Sequence, residues 1–375
     1  MKITETSFFN ILRAGLWDEK VNCSVDSDEL QDVLKLAKQQ SVLGIVVNVI
    51  LKNTDLMNYL PEGQEDKLRK VVMLNYGAYS KLSSSLMKLI DVLDSGGIKP
   101  VLLKGHGLAQ YYPVPELRQC GDIDIYVGPD QFDEAKHILL PLSSLKGRPH
   151  ETKKHVEVRF GNTIVELHRV SAFHPEPIMD EIYQTYAHEG LDTCTGTYAL
   201  GSKTIAIPSD TFNAFYVFYH LWRHFLTEGV GLRQLCDWMM LLHTRNKCID
   251  VESLRQMVAD MKLMKPWKSF AAIIVRYLGI SPDEVPFYEE GYSRIAERIL
   301  KRILKEGNFG HERSYYKSRK KNYLWMKVHA FWCHLERYFA VSLLFPSHSF
   351  NQFFYMARYG IKVFFKDIIH KPLNL

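Results

Sequence analysis

The sequence predicts an α+β protein, with a strand-containing core between two helical regions, and three observations carry that prediction. Apolar residues recur at helical spacing from the N-terminus to about residue 97 and again from residue 209 onward. Between them the period shortens to two, in runs too brief for helices and bounded by Gly, Pro and Asn. One of these runs, Asp122-Ile123-Asp124-Ile125-Tyr126-Val127, sets two acids on one face of a strand whose other face is apolar. The expected division is a helical region at 1–97, a core at 98–208, and a helical region with a basic, aromatic tail at 209–375.

The first helix carries Phe8, Phe9, Leu12 and Leu16 on one face. The second opens near Ser27-Asp28-Glu29, a capping composition, and runs through Leu30, Val33, Leu34 and Ala37. A third carries Leu86, Leu89, Ile90 and Leu93 and stops at Ser95-Gly96-Gly97. Val101-Leu102-Leu103 then reads as a buried strand ending at Lys104-Gly105, followed by a helix over about Leu108 to Tyr112 that Pro113 and Pro115 break. After the Asp-x-Asp strand, Gly128-Pro129 is a stop and Asp130 is expected to cap a helix reaching about Leu140. His155 to Phe160 and Thr163 to His168, joined by Gly161-Asn162, read as a hairpin, and a smaller one is expected from Tyr198 to Ile207. Helices resume with Phe212, Phe215, Tyr216 and Tyr219, and a later one carries Arg233 and Asp237.

Composition bounds the function classes. A formal charge of +5 mildly favours polyanionic partners such as nucleotides. Six cysteines without a Cys-x-x-Cys pair suggest neither a zinc site nor a disulfide framework, which fits a reducing cytoplasm. No signal-like leader and no run of about 18 apolar residues is present, so neither export nor a membrane span is expected.

Two carboxylates about 4 Å apart repel by roughly 4 kcal/mol at an effective dielectric near 20, so Asp122 and Asp124 call for a cation between them, the alternative being solvated acids on a half-exposed edge strand. Hard oxygen donors suit Mg2+ or Mn2+. A third acid on a neighbouring strand would complete the set that metal-dependent transfer from a nucleoside triphosphate needs, in which two cations about 3.5–4 Å apart share carboxylates. Glu166, mid-strand between Val165 and Leu167, is the leading candidate and Glu157 its competitor. Lys104 and Arg118 are candidates for phosphate oxygens, the alternative for both being an ion pair with the acids. Backbone N–H groups from Gly105 to Gly107 are a candidate cradle. His168 shares a strand face with Glu166. His220 and His224, at i and i+4, suit either a metal or simple packing.

Leu103-Lys104-Gly105, Arg118 with Gly121-Asp122-Ile123-Asp124, Glu166-Leu167-His168, and His220 with His224 ahead of Asp237 together resemble the uncharacterised bacterial nucleotidyltransferases of the polymerase-beta-like superfamily, over roughly residues 5 to 245. The resemblance implies a small mixed sheet flanked by helices, with Asp122 and Asp124 as metal ligands and Glu166 as the third. It also implies that His220 and Asp237 lie close to the site. The chain has Gly105-His106 where the wider superfamily has Gly-Ser. The expected activity is transfer of a nucleoside monophosphate to an unknown acceptor, whether small molecule, saccharide, protein or RNA, with release of pyrophosphate. The rivals are a sugar-nucleotide glycosyltransferase using the same Asp-x-Asp, and a nucleotide-binding module without turnover. The aromatic and basic tail, from Lys317, Arg319, Lys320 and Lys321 onward, suits either a packed helical subdomain or contact with a polyanion or membrane surface.

Overall fold

The computed structural model describes residues 3–310 and 323–370, apart from 22, 24, 146, 148 and 194. For 3, 4, 323–330, 333, 334, 359 and 361–370 it describes the backbone alone. Five helices precede the sheet: α1 (Ile3–Trp17), α2 (Ser27–Gln39), α3 (Leu43–Lys52), α4 (Thr54–Met57) and the long α5 (Gln64–Ser95). The Asp26 carboxylate caps α2 by accepting the Glu29 N–H at 2.8 Å, which satisfies a donor the helix itself leaves open. The third helix expected from the sequence is the last part of α5, whose earlier turns expose Met73 and Leu74 and so carry no clear apolar stripe.

The middle of the chain supplies β1 (Val101–Leu102), α6 (His106–Ala109), β2 (Asp122–Tyr126), α7 (Gly128–Leu139), β3 (His155–Phe160), β4 (Thr163–His168), α8 (Pro177–His188), β5 (Thr195–Leu200) and β6 (Lys203–Pro208). The six strands form one mixed sheet in the order β3-β4-β2-β1-β6-β5. β2 runs parallel to β4 and antiparallel to β1, which is parallel to β6, while β3–β4 and β5–β6 are antiparallel hairpins. Gly161 and Gly201 take φ of 60° and 59° in the two hairpin turns, a region costly for other residues.

Two sequence expectations move. The short helix begins at His106 rather than Leu108, because Gly105, at φ 51° and ψ −118°, turns the chain directly out of β1. α7 starts at Gly128, so Asp130 lies in its first turn and is not its cap.

Beyond the sheet come α9 (Asp210–Leu226), α10 (Leu232–Arg245), α11 (Val251–Asp260), α12 (Met264–Ile273), α13 (Ser293–Glu306), α14 (Tyr323–Ser342) and α15 (Pro346–His370). Lys317, Arg319, Lys320 and Lys321 lie outside the described residues. One apolar cluster joins the N-terminal helices (Phe8, Val46), one side of the sheet (Leu103, Tyr126) and the later helices (Phe215, Leu241, Ile299). A second fills the opposite face of the sheet, where Ile123, Ile125, Val165 and Leu167 meet α5 and α7. Ile123 and Ile125 therefore anchor β2 on one face, and its acids project from the other.

Candidate active site

Register fixes the acids. Parallel pairing of β2 with β4 sets Asp124 beside Glu166 and Asp122 beside Ile164, so Asp122, Asp124 and Glu166 share one face across two strands. Glu157 sits opposite Glu166 on edge strand β3 and faces His150 at 3.5 Å.

Asp124 is 3 % exposed, and its Oδ1 receives both the Lys104 ammonium at 3.1 Å and the His168 Nε2 at 2.9 Å. Burial alone would raise its pKa, but the Lys104 charge and the His168 hydrogen bond outweigh burial and hold the carboxyl well below the usual carboxylate range. Lys104 responds in kind: burial opposes its charge, yet the Asp124 carboxylate and the other acids push its pKa up. Asp122 behaves oppositely, pushed up by burial and by the charge on Asp124. Two acids two residues apart thus differ in what it costs to ionise them.

His168 is fully buried, and its Nε2 also lies 3.2 Å from Glu166 Oε2, so one imidazole bridges the two carboxylates. That hydrogen bond outweighs burial and keeps Glu166 below its usual range. His155 Nδ1 stands 3.7 Å from the same oxygen, and burial pushes His155 down to about 4.

A cleft of about 210 Å³ opens over this face, lined by Lys104, Gly105, Asp122, Asp124, Arg118, His220, Arg233 and Asp237 among others. Arg118 and Asp237, both expected to meet substrate, form a bidentate pair at 2.9 and 2.6 Å that also receives the Tyr112 hydroxyl at 2.7 Å. The partner of Arg118 is thus an acid far along the chain rather than one of the strand acids. Tyr112 ties the segment after α6 to the same pair. His220 reaches the cleft wall and lies 4.4 Å, ring to ring, from His224, which pairs with Glu228 at 3.0 Å. The two histidines face different partners, and among the described residues they join no group of three metal-ligating side chains. Burial drives both below their ordinary pKa.

The turn after β1 differs from the expected cradle. Gly107 N–H donates to Lys104 O at 2.9 Å and is used within the turn itself. His106 points away from the cleft into the sheet's far side, 2.8 Å from Ser83 Oγ and stacked on Tyr79 at 4.6 Å. A Cβ on Gly105 would stand 3.4 Å from Cys120 Sγ and 3.9 Å from Asp124 Oδ2, ordinary contact distances, so it is the positive φ of 51° that calls for glycine here.

The sequence reading gave Arg233 no role. Its Nη1 donates to Gln119 O at 3.0 Å, and its Nε is buried without a hydrogen-bond partner. Burial and the neighbouring Arg118 charge lower its pKa, the mark of a cation short of anions. Its place one helical turn before Asp237 was the available signal. Lys154 was missed as well; burial and the Lys104 charge push it down to about 8.

Oxygen donors with a surplus of negative charge fit a divalent cation. Asp122, Asp124 and Glu166 set three carboxylates against the ammonium groups of Lys104 and Lys154, and burial, then the charge on Asp124, pushes the Asp122 pKa up. Among the described residues, the ligand atoms within 4.8 Å of one another belong to His155, Glu166 and His168, and to His150, His155 and Glu157.

Residues 26–279 match the family model described as uncharacterised nucleotidyltransferase. The chain is similar in structure to an antigenic nucleotidyltransferase-like protein from Paracoccidioides brasiliensis, at 13% identity and a TM-score of 0.34, over 57% of this chain and 97% of that one. No curated protein matches the chain.

Proposed function

The chain belongs to the family of uncharacterised nucleotidyltransferases, and from that membership we propose that it transfers a nucleoside monophosphate from a nucleoside triphosphate to an acceptor oxygen, releasing pyrophosphate, with Mg2+ or Mn2+ held by Asp122, Asp124 and Glu166. The observation that carries the reading is the register that sets Asp124 beside Glu166 with Asp122 on the same face, Asp122 and Asp124 lining a cleft that Lys104, Arg118 and Arg233 also line. A bound divalent cation would lower the pKa of the attacking oxygen and neutralise charge on the phosphates.

The chain's own residues do the rest. His168 holds Asp124 and Glu166 at a fixed separation, so neither carboxylate has to reorganise when substrate arrives. Lys104 orients Asp124 from the other side. Arg233, which lines the cleft and pairs with no carboxylate among the described residues, meets the phosphate oxygens, whereas Arg118 braces the wall through Asp237. The acceptor oxygen attacks the α-phosphorus as the bond to the bridging oxygen breaks, and the electron pair leaves on pyrophosphate.

Residues 3–95 hold helices, with no strand among the described residues there. The doubly wound region that a sugar-nucleotide glycosyltransferase would need ahead of its Asp-x-Asp is therefore not supported. The test is calorimetric titration of each triphosphate with Mg2+, beside a pyrophosphate-release assay. Wild-type protein should bind a triphosphate only with metal. Asp122→Asn/Asp124→Asn should abolish that binding, and Arg233→Gln should weaken it about tenfold or more. Undiminished binding by the double variant would overturn the site, and binding without pyrophosphate release across acceptor classes would leave a nucleotide-binding module.

A further inference from the structure

The last two helices present a surface that the nucleotidyltransferase reading does not use. α14 and α15 pair as a hairpin fixed to the body of the protein, where the buried Arg337 reaches Glu306 and the Phe225 carbonyl, and Lys265 Nζ donates to Leu344 O at 2.8 Å. Arg337 and Val341 face inward on α14, and Ser349 and Gln352 on α15. The opposite faces are apolar yet open to solvent: Phe331, Trp332 and Phe339 on α14, Leu343 between the helices, and Phe350 and Phe354 on α15 are 47% to 84% exposed.

The rings are continuous from one helix to the other. Phe331 meets Phe353 at 6.5 Å, Tyr338 meets Phe353 at 4.8 Å, and Phe353 meets Phe354 at 5.7 Å, with Phe350 a further 4.5 Å away. A contiguous exposed apolar face of this kind marks a contact surface. Charge identifies its partner. Of the chain's 47 basic and 42 acidic residues, 11 and 3 fall in residues 311–375, leaving that segment at +8 and residues 1–310 at −3.

We propose that the outer face of the α14–α15 hairpin docks on an anionic lipid surface, its aromatic and aliphatic side chains entering the headgroup boundary and the net positive charge of residues 311–375 drawing it to the lipid phosphates. Exposed Trp, Phe and Leu, on a helix pair whose Lys and Arg outnumber its acids five to two over residues 323–370, are the composition of an interfacial surface. Neither helix is long and apolar enough to cross a membrane over the described residues, so the contact is peripheral. A second copy of the chain fits less well, since face-to-face pairing would bring together two helix pairs of net charge +3 each over residues 323–370 (five basic, two acidic). A single-stranded RNA would use the rings for base stacking but gives no role to Leu343, the most exposed residue of the face.

The experiment is co-sedimentation of the full chain with phosphatidylcholine vesicles, with and without about one-third phosphatidylglycerol, at low and high salt. The expected result is binding to the anionic vesicles alone, weakened by salt. Trp332→Ser/Phe339→Ser/Phe350→Ser/Phe354→Ser should reduce that binding by about tenfold or more while leaving the circular dichroism spectrum unchanged, because these side chains already stand in water. Should that variant lose its fold, the salt and lipid dependence of the wild-type chain decides alone. Equal binding to neutral vesicles overturns the proposal, and so does unreduced binding by the folded variant. Absent vesicle binding together with concentration-dependent self-association, or with capture of polyuridine RNA, overturns it in favour of the other occupant. No triphosphate is present, so the result is independent of the catalytic reading.

Discussion

Asp122 and Asp124 look equivalent in sequence and are unlike in the fold. Asp122 is ionised against burial and its neighbour's charge, whereas Asp124 is ionised with the help of Lys104 and His168. Asp122→Asn should therefore leave the metal-free protein as stable or slightly more so. Asp124→Asn removes the counter-charge of a buried lysine and should cost roughly 2–4 kcal/mol. Urea titration of the two single variants checks this, and equal effects would mean that the two carboxylates share one environment. The alternation of β2 was enough to set both acids on one face. It could not distinguish them, because Lys104, His168 and Asp124 are brought together only when β1, β2 and β4 pair.

At the scale of elements, α10 is tied to the site by Asp237, which binds Arg118 just ahead of β2 and Tyr112 just after α6. Asp237→Ala leaves a guanidinium buried without its partner, and the expected loss is about 3–5 kcal/mol. Hydrogen exchange should locate the loosening at residues 112–121 and in α10 rather than in the β5–β6 hairpin; uniform loosening would contradict the local tie. The hairpins were legible because turn residues act locally: Gly161-Asn162 falls where the first one turns, and the second, expected from Tyr198 to Ile207, turns at Gly201. The Arg118–Asp237 pair spans 119 residues and no local pattern announces it. The start of α6 was misplaced because the positive φ of Gly105 cannot be read from glycine's presence alone. His106, which stands where the wider superfamily has serine, completes the packing between α5 and β5.

For the whole molecule, several histidines are held neutral by burial. His106, His155 and His174 are each pushed down to about 4. A histidine with a folded pKa below its unfolded value near 6.5 stabilises fully above that value, and the contribution is lost as pH falls from 6.5 toward 4. For His106, 1 % exposed, the loss is about 2–3 kcal/mol. Asp124 and Glu166, both depressed, lose their contribution only at lower pH, below the ordinary carboxylate range. Urea stability measured from pH 7.5 to 4.5 should therefore decline before the carboxylates titrate, and His106→Gln should flatten the decline. An unchanged slope in that variant would place the sensitivity elsewhere.

The two-residue strand β1 lies at the centre of the sheet, paired to β2 on one side and to β6 on the other. Its meaning is kinetic as well as architectural. The β3–β4 and β5–β6 hairpins can form from neighbouring residues in microseconds, but β1 must wait for a partner about a hundred residues later before the sheet closes. During synthesis, then, the acids on β2 pass from the ribosome long before the strand that completes their sheet, and the nascent core stands open along one edge until Pro208 has emerged.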